Sequence, residues 1–162
     1  MEPASSEFSP KGFFRTHRII HLALLAGLTI FGLVQFNRVG GAEMAWGQMD
    51  YLFPYGIPLL AMGGILAGSV VFRQQLSAVT KLETLQARMN GYLSACLTRY
   101  ALLEAPGFLA LSAYGTSGNA AYLGVALALW IALLLLYPTP ERAVRDLQLP
   151  PPMQEALRKG LK

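Results

Sequence analysis

Residues 120–137 read AAYLGVALALWIALLLLY, eighteen residues without one charged side chain. A run of about 18 or more apolar residues is long enough to cross the hydrocarbon core of a bilayer as a helix. Three further runs of this kind precede it, at Ile19–Phe36, Tyr51–Phe72 and Tyr92–Gly115. Of the 162 residues 54% are hydrophobic and 14% charged, against roughly 25% charged in an ordinary soluble domain. The mean hydropathy is +0.41. The pattern predicts an all-α fold: a polytopic membrane protein built as a four-helix transmembrane bundle, with short amphipathic cytoplasmic helices. It forms a single membrane domain over residues 1–162.

The sequence pI of 9.4 raises the question of nucleic acid, and the placement of the basic residues answers it. Lys11, Arg15 and Arg18 precede run one. Arg73, Lys81 and Arg88 lie between runs two and three. Arg142, Arg145, Arg158, Lys159 and Lys162 follow run four. The loop after run one has Arg38 alone, set against Glu43 and Asp50, and the loop Thr116–Asn119 has no basic residue. This alternation is what the positive-inside rule produces with four spans and both termini in the cytoplasm. The expected localisation is a bacterial inner membrane, multi-pass. The basic surface faces anionic lipid, so the lipid bilayer is the expected partner and nucleic acid is not. A basic start, an apolar stretch and Gly40-Gly41-Ala42 also resemble a signal peptide. The stretch of about 18 residues is longer than a usual h-region, so it is read as a span.

Along the chain, residues 1–16 are expected to be a disordered cytoplasmic tail. Trp46 and Tyr51 suit an interfacial aromatic belt. Pro54 and Pro58 predict a kinked or partly helical start to span two. Gln74–Met89 is expected to form an amphipathic cytoplasmic helix, because Leu76, Val79, Leu82, Leu85 and Met89 recur at steps of three or four. Asn90-Gly91 would bend the chain into span three. Asn119 should cap span four, and Pro138 should stop it. Thr139-Pro140-Glu141 has the order cap, proline, acid and predicts a short helix over Pro140–Leu147. Pro150-Pro151-Pro152 reads as a stiff spacer, followed by a short basic helix or tail.

Run three is the only apolar run that contains charges, Arg99 and Glu104. A carboxylate in hydrocarbon costs several kcal/mol unless it is protonated, paired or wetted. Glu104 lies about 7.5 Å along the helix axis from Arg99, and the two project about 140° apart, so they do not pair with each other. Pro106 removes the donor that would serve the Leu102 carbonyl, which places a second polar need beside Glu104. His17 and His21 share one face at the start of span one. If spans one and three are neighbours, Glu104, Arg99, His21 and His17 form an intramembrane polar cluster, with Tyr100 in reach. Such a cluster has three readings. It is a hydrogen-bonded network that fixes helix register, a proton or ion site, or a metal site using the histidines with Cys96 or Glu104. The first is preferred, and no cofactor and no metal are expected. The lone Cys96 excludes an intrachain disulfide and reads as an apolar filler.

In span two, Gly64-x-x-x-Gly68 leaves a flat strip for close helix packing, either within the chain or against another copy. No phosphate loop, H-E-x-x-H or G-x-S-x-G appears, and the external loops are too short to build a soluble active site. The chain is therefore expected not to be an enzyme. Two readings of function follow. The first is an accessory or scaffold subunit of a membrane complex, working with a membrane-protein partner or a homo-oligomer. The second is a small proton-coupled carrier or ion pathway centred on Glu104.

Arg99–Tyr114, RYALLEAPGFLALSAY, and Pro138–Leu149, PTPERAVRDLQL, resemble segments of small bacterial four-span membrane proteins of unassigned function. The resemblance covers roughly the second half of the chain. It implies a membrane bundle and adds no mechanism and no functional residue.

Overall fold

The computed structural model describes residues 8–42 and 52–162. Residues 1–7, Trp46, Tyr51 and the loop carrying Glu43 and Asp50 lie outside the described residues. The described residues form six helices: α1 (Pro10–Val39), α2 (Leu52–Val79), α3 (Leu85–Ser117), α4 (Ala120–Leu134), α5 (Pro140–Asp146) and α6 (Pro151–Lys159). No strand element occurs among them.

The helix starts follow local chemistry. Ser9, Thr84, Asn119 and Thr139 each cap a first turn, accepting from the amides of Gly12, Ala87, Ala121 and Arg142. These bonds satisfy donors that have no intrahelical acceptor. At the far ends, Gly40 (φ 76°) and Gly118 (φ 69°) turn the chain through the left-handed region, where glycine has no Cβ to clash.

α3 is the central helix, and the other three long helices pack on it. Gly27 of α1 stands beside Glu104 and Phe108, and Gly32 beside Leu111, so α1 and α3 run parallel. Gly68 of α2 meets Arg99 and Gly64 meets Pro106, so α2 runs antiparallel to α3. α4 returns antiparallel to both α1 and α3, with the Trp130 indole donating to Thr29 Oγ1 at 3.1 Å. α5 and α6 fold across one end. There Ala143, Leu147 and Leu157 are buried, and Gly160 sits against Pro10. The start of α1, the α2–α3 turn, α5 and α6 share that end, so it carries Lys11, Arg15, Arg18, Arg73, Lys81, Arg88 and the arginines and lysines after residue 140.

Two helices, α1 and α2, are long and apolar enough to cross a membrane, and only 22% of each apolar window is buried in the protein. α3 is longer, at 33 residues, but its polar and charged residues keep it below that standard. α4 is apolar throughout but has only 15 residues. That is about 22 Å at 1.5 Å per residue, less than the ~30 Å hydrocarbon core. The reason is Pro138, which bars its predecessor from the helical region. Leu136 and Tyr137 close the element with tighter bonds to Leu133 and Leu134.

Four expectations are corrected. No separate helix spans Gln74–Met89: α2 runs unbroken to Val79, the chain turns over residues 80–84, and α3 begins at Leu85. Leu76, Val79 and Met89 are buried where the two helices pack. A stripe at steps of three or four looks the same whether it faces lipid or a neighbouring helix. The cap at Thr84 and the Arg88 Nε bond to the Leu82 carbonyl (2.6 Å) mark the true turn. Asn90-Gly91 does not bend α3. A Cβ on Gly91 would lie 2.6 Å from Val79 Cγ2, so this glycine serves close packing and not flexibility. Residues 10–16 are helical, because Pro10 at the first position and the Ser9 cap start α1 well before the apolar run. Pro151 and Pro152 open α6 and do not act as a spacer, since the first turn needs no amide donors. α2 also stays helical through Pro58, and α3 through Pro106.

Candidate functional site: a buried polar cluster at the basic end

The cluster is organised by the end of α4. Pro138 terminates that helix, and the last carbonyls of a helix have no internal donor. Side chains from three other elements donate to the carbonyls just beyond its last turn. Tyr100 of α3 donates its hydroxyl to the Leu136 carbonyl at 3.2 Å. Arg142 of α5 reaches the Leu135 carbonyl at 2.8 Å. Arg18 of α1 reaches the Pro138 carbonyl at 3.5 Å and lies over the Tyr137 ring. Two of the three donors are cationic, which suits the negative end of the α4 dipole. These contacts link α1, α3 and α5 to the end of α4.

His17 and His21 lie directly beneath, both 0% exposed. His17 Nε2 is 3.2 Å from the Tyr100 hydroxyl. The hydroxyl thus joins the His17 ring to the Leu136 carbonyl, and it can serve as donor to one and acceptor from the other. His21 packs against the rings of Tyr100 (4.9 Å) and Tyr137 (5.7 Å) and makes no hydrogen bond among the described residues. Tyr92 packs edge-on to His17 and donates to Asp146 Oδ2 at 3.3 Å, which ties α5 to α3. Cys96 is buried between Tyr92 and Tyr100.

Of the four residues expected to cluster, the structure brings together His17 and His21 and leaves out the other two. Glu104 stands farther along the bundle, with Oε1 3.9 Å from the Cβ position of Gly27, and makes no ion pair or hydrogen bond among the described residues. Gly27 is six residues beyond His21, about 9 Å along α1, so a His21–Glu104 contact is not formed. Arg99 points to the opposite side of α3, its guanidinium 5.0 Å from the centre of the Phe72 ring. Among the described residues no three His, Cys, Asp or Glu side chains converge as a metal-ligating group.

Gly64 and Gly68 both face α3. A Cβ on Gly64 would overlap the Leu102 carbonyl oxygen, the group deprived of its donor by Pro106, and would lie 3.1 Å from Pro106 Cγ. The strip thus packs against α3 within the chain. The sequence reading did not single out Arg18, Tyr92, Arg142 or Asp146. The available signal was the proline after α4, which implies orphan carbonyls and therefore donors.

No protein-family model, curated protein or solved structure matches this chain.

Proposed function

We propose that the chain is a four-span integral membrane protein of a bacterial inner membrane, with both termini on the cytoplasmic side. We propose further that it serves as a non-catalytic accessory or scaffold subunit of a membrane complex. The membrane reading is supported by the exposed apolar surface: Ile30 (62% exposed), Leu33, Leu59, Leu66, Leu127 and Leu135 stand on three of the long helices. Such a belt is costly in water and neutral in lipid. The gathering of the basic residues at one end supports the orientation. The resemblance of residues 99–114 and 138–149 to small bacterial four-span proteins points the same way.

The scaffold reading rests on one observation above all. Between His21 and Gln35, about 21 Å of α1, the interior is filled by Leu25, Leu28, Leu103, Ala110, Leu111 and Leu129. Many of the polar groups join helices at the basic end, and this apolar filling, broken among the described residues by Thr29 and Glu104, favours a structural role over an ion path in a single copy. The test is purification of the full chain in mild detergent with identification of what co-purifies. A stoichiometric membrane partner or a defined homo-oligomer supports the reading, and a lone monomer at native expression levels refutes it. Reporter fusions at residue 162 and in the loop after α1 test orientation: the first must report cytoplasm and the second the opposite side.

A second reading rests on Glu104. A carboxyl group without an ion-pair partner inside a span is a proton or ion site by default. In a homo-oligomer, two copies would supply the enclosed path that one copy lacks.

A further inference from the structure

Arg73 of α2, Arg99 of α3, and Arg142 and Arg145 of α5 line one cleft of about 470 Å³, together with Ser69, Gln148 and a single carboxylate, Asp146. Four arginines against one carboxylate leave a formal excess of three positive charges. They come from positions as far apart as 73 and 145 and meet only in the fold. Bringing guanidinium groups together is unfavourable by itself, and the charges are not neutralised among the described residues. Arg145 contacts Asp146 at 3.4 Å, but Arg73, Arg99 and Arg142 make no ion pair among the described residues. The Arg99 guanidinium lies over the Phe72 ring, and a guanidinium has five N–H donors to offer a ligand. Arg142 spends one nitrogen on the Leu135 carbonyl and keeps the others.

We propose that this cleft binds the phosphate-bearing headgroup of an anionic phospholipid. The chemistry shared by any ligand here is phosphate, which arginine forks bind bidentately. Two features favour a lipid over a free phosphate. The cleft has apolar walls at Phe72, Leu76 and Leu136. Its α2 wall also continues from Ser69 to Ile65 and Met62, at helical steps of four and three, as an exposed apolar stripe running away from the basic end. A headgroup seated among the arginines would lay an acyl chain along that stripe. The excess of three charges suits a headgroup with two phosphates better than one with a single charge. The inference rests on the membrane reading above but not on the scaffold role.

The test is flotation of the purified full chain with vesicles of phosphatidylcholine alone and with vesicles containing a diphosphate lipid (cardiolipin). Lipid retention by native mass spectrometry is measured alongside. The expected result is that the chain floats with both vesicles and retains the diphosphate lipid at least about tenfold over phosphatidylcholine. Arg99→Gln together with Arg145→Gln should abolish that preference. Arg145→Gln alone, at an exposed side chain that leaves the bundle intact, should reduce it about threefold. Arg158→Gln with Lys159→Gln removes the same charge outside the cleft and should leave the preference unchanged. Equal loss in both double variants would overturn the proposal, because it would show general surface charge only. Displacement of the lipid by millimolar inorganic phosphate, with no preference between the vesicles, would overturn the lipid assignment. Failure to float with either vesicle would refute the membrane reading itself, and the proposal with it.

Discussion

Gly63 and Gly64 are adjacent in sequence and opposite in consequence, which makes them the sharpest test of the α2–α3 seam. A Cβ on Gly64 falls on the Leu102 carbonyl oxygen and 3.1 Å from Pro106 Cγ, whereas a Cβ on Gly63 meets nothing within 4 Å. The obstacle at Gly64 is backbone and a proline ring, neither of which has a rotamer to escape into. Gly64→Ala must therefore push α2 away from α3. Overpacking of this kind costs about 1–3 kcal/mol, and the better helix propensity of alanine returns up to about 1 kcal/mol. Gly63→Ala collects the propensity gain without the cost. The two variants should differ by about 1–3 kcal/mol in the direction of a weaker Gly64→Ala. At about 2–4 °C per kcal/mol for a chain of this size, that is a gap of several degrees in the midpoint of thermal unfolding. The midpoint is to be followed in detergent by tryptophan fluorescence. Equal midpoints, or a more stable Gly64→Ala, would show that the seam is not packed as described. The same result would return Gly64 to the surface as a face for another copy.

Three other outcomes are expected. Gly91→Ala should lower the unfolding midpoint, because its Cβ would lie 2.6 Å from Val79 Cγ2; Val79→Ala in the same chain should restore much of the loss, and a purely additive double variant would contradict the contact. Tyr100→Phe removes the hydroxyl that bonds the Leu136 carbonyl and the His17 ring, so stability should fall by about 1–3 kcal/mol; the same substitution at the exposed Tyr55 should do nothing measurable. Glu104→Gln should leave the fold and any co-purifying partner intact, since no ion pair or hydrogen bond to the carboxylate is lost among the described residues; a proton flux in reconstituted vesicles that depends on Glu104 would replace the scaffold reading with the carrier reading.

Two helix starts were legible from their caps, whereas the Ser9-Pro10 start of α1 was missed. Thr139-Pro140-Glu141 predicts α5 to within a residue, and Asn119 marks the start of α4. These signals are local: a side-chain oxygen and the amide two or three residues on decide them. The stretch Gln74–Met89 was misread because hydrophobic spacing records how often a helix turns and not what covers its stripe. Two different helices happen to keep the same spacing across the turn at residues 80–84. The polar cluster was half legible. His17 and His21 share a face by spacing alone, and that held. Whether Glu104 reaches them depends on the axial offset of α1 against α3, which is set by where Gly27, Gly32 and Gly107 let the helices approach.

Composition and charge placement alone establish that this is a helical, strongly apolar chain with its basic residues gathered into alternate segments. Both follow from residue counts and positions along one dimension. Only the tertiary structure decides which polar groups meet. It makes the end of α4 the collecting point for Arg18, Tyr100 and Arg142, keeps Glu104 away from His21, and draws four arginines from three helices into one cleft. The physical reason is that rotation and offset between packed helices are fixed by the shapes that interlock at the seams. Those shapes belong to pairs of helices, whereas the pattern along each helix belongs to it alone.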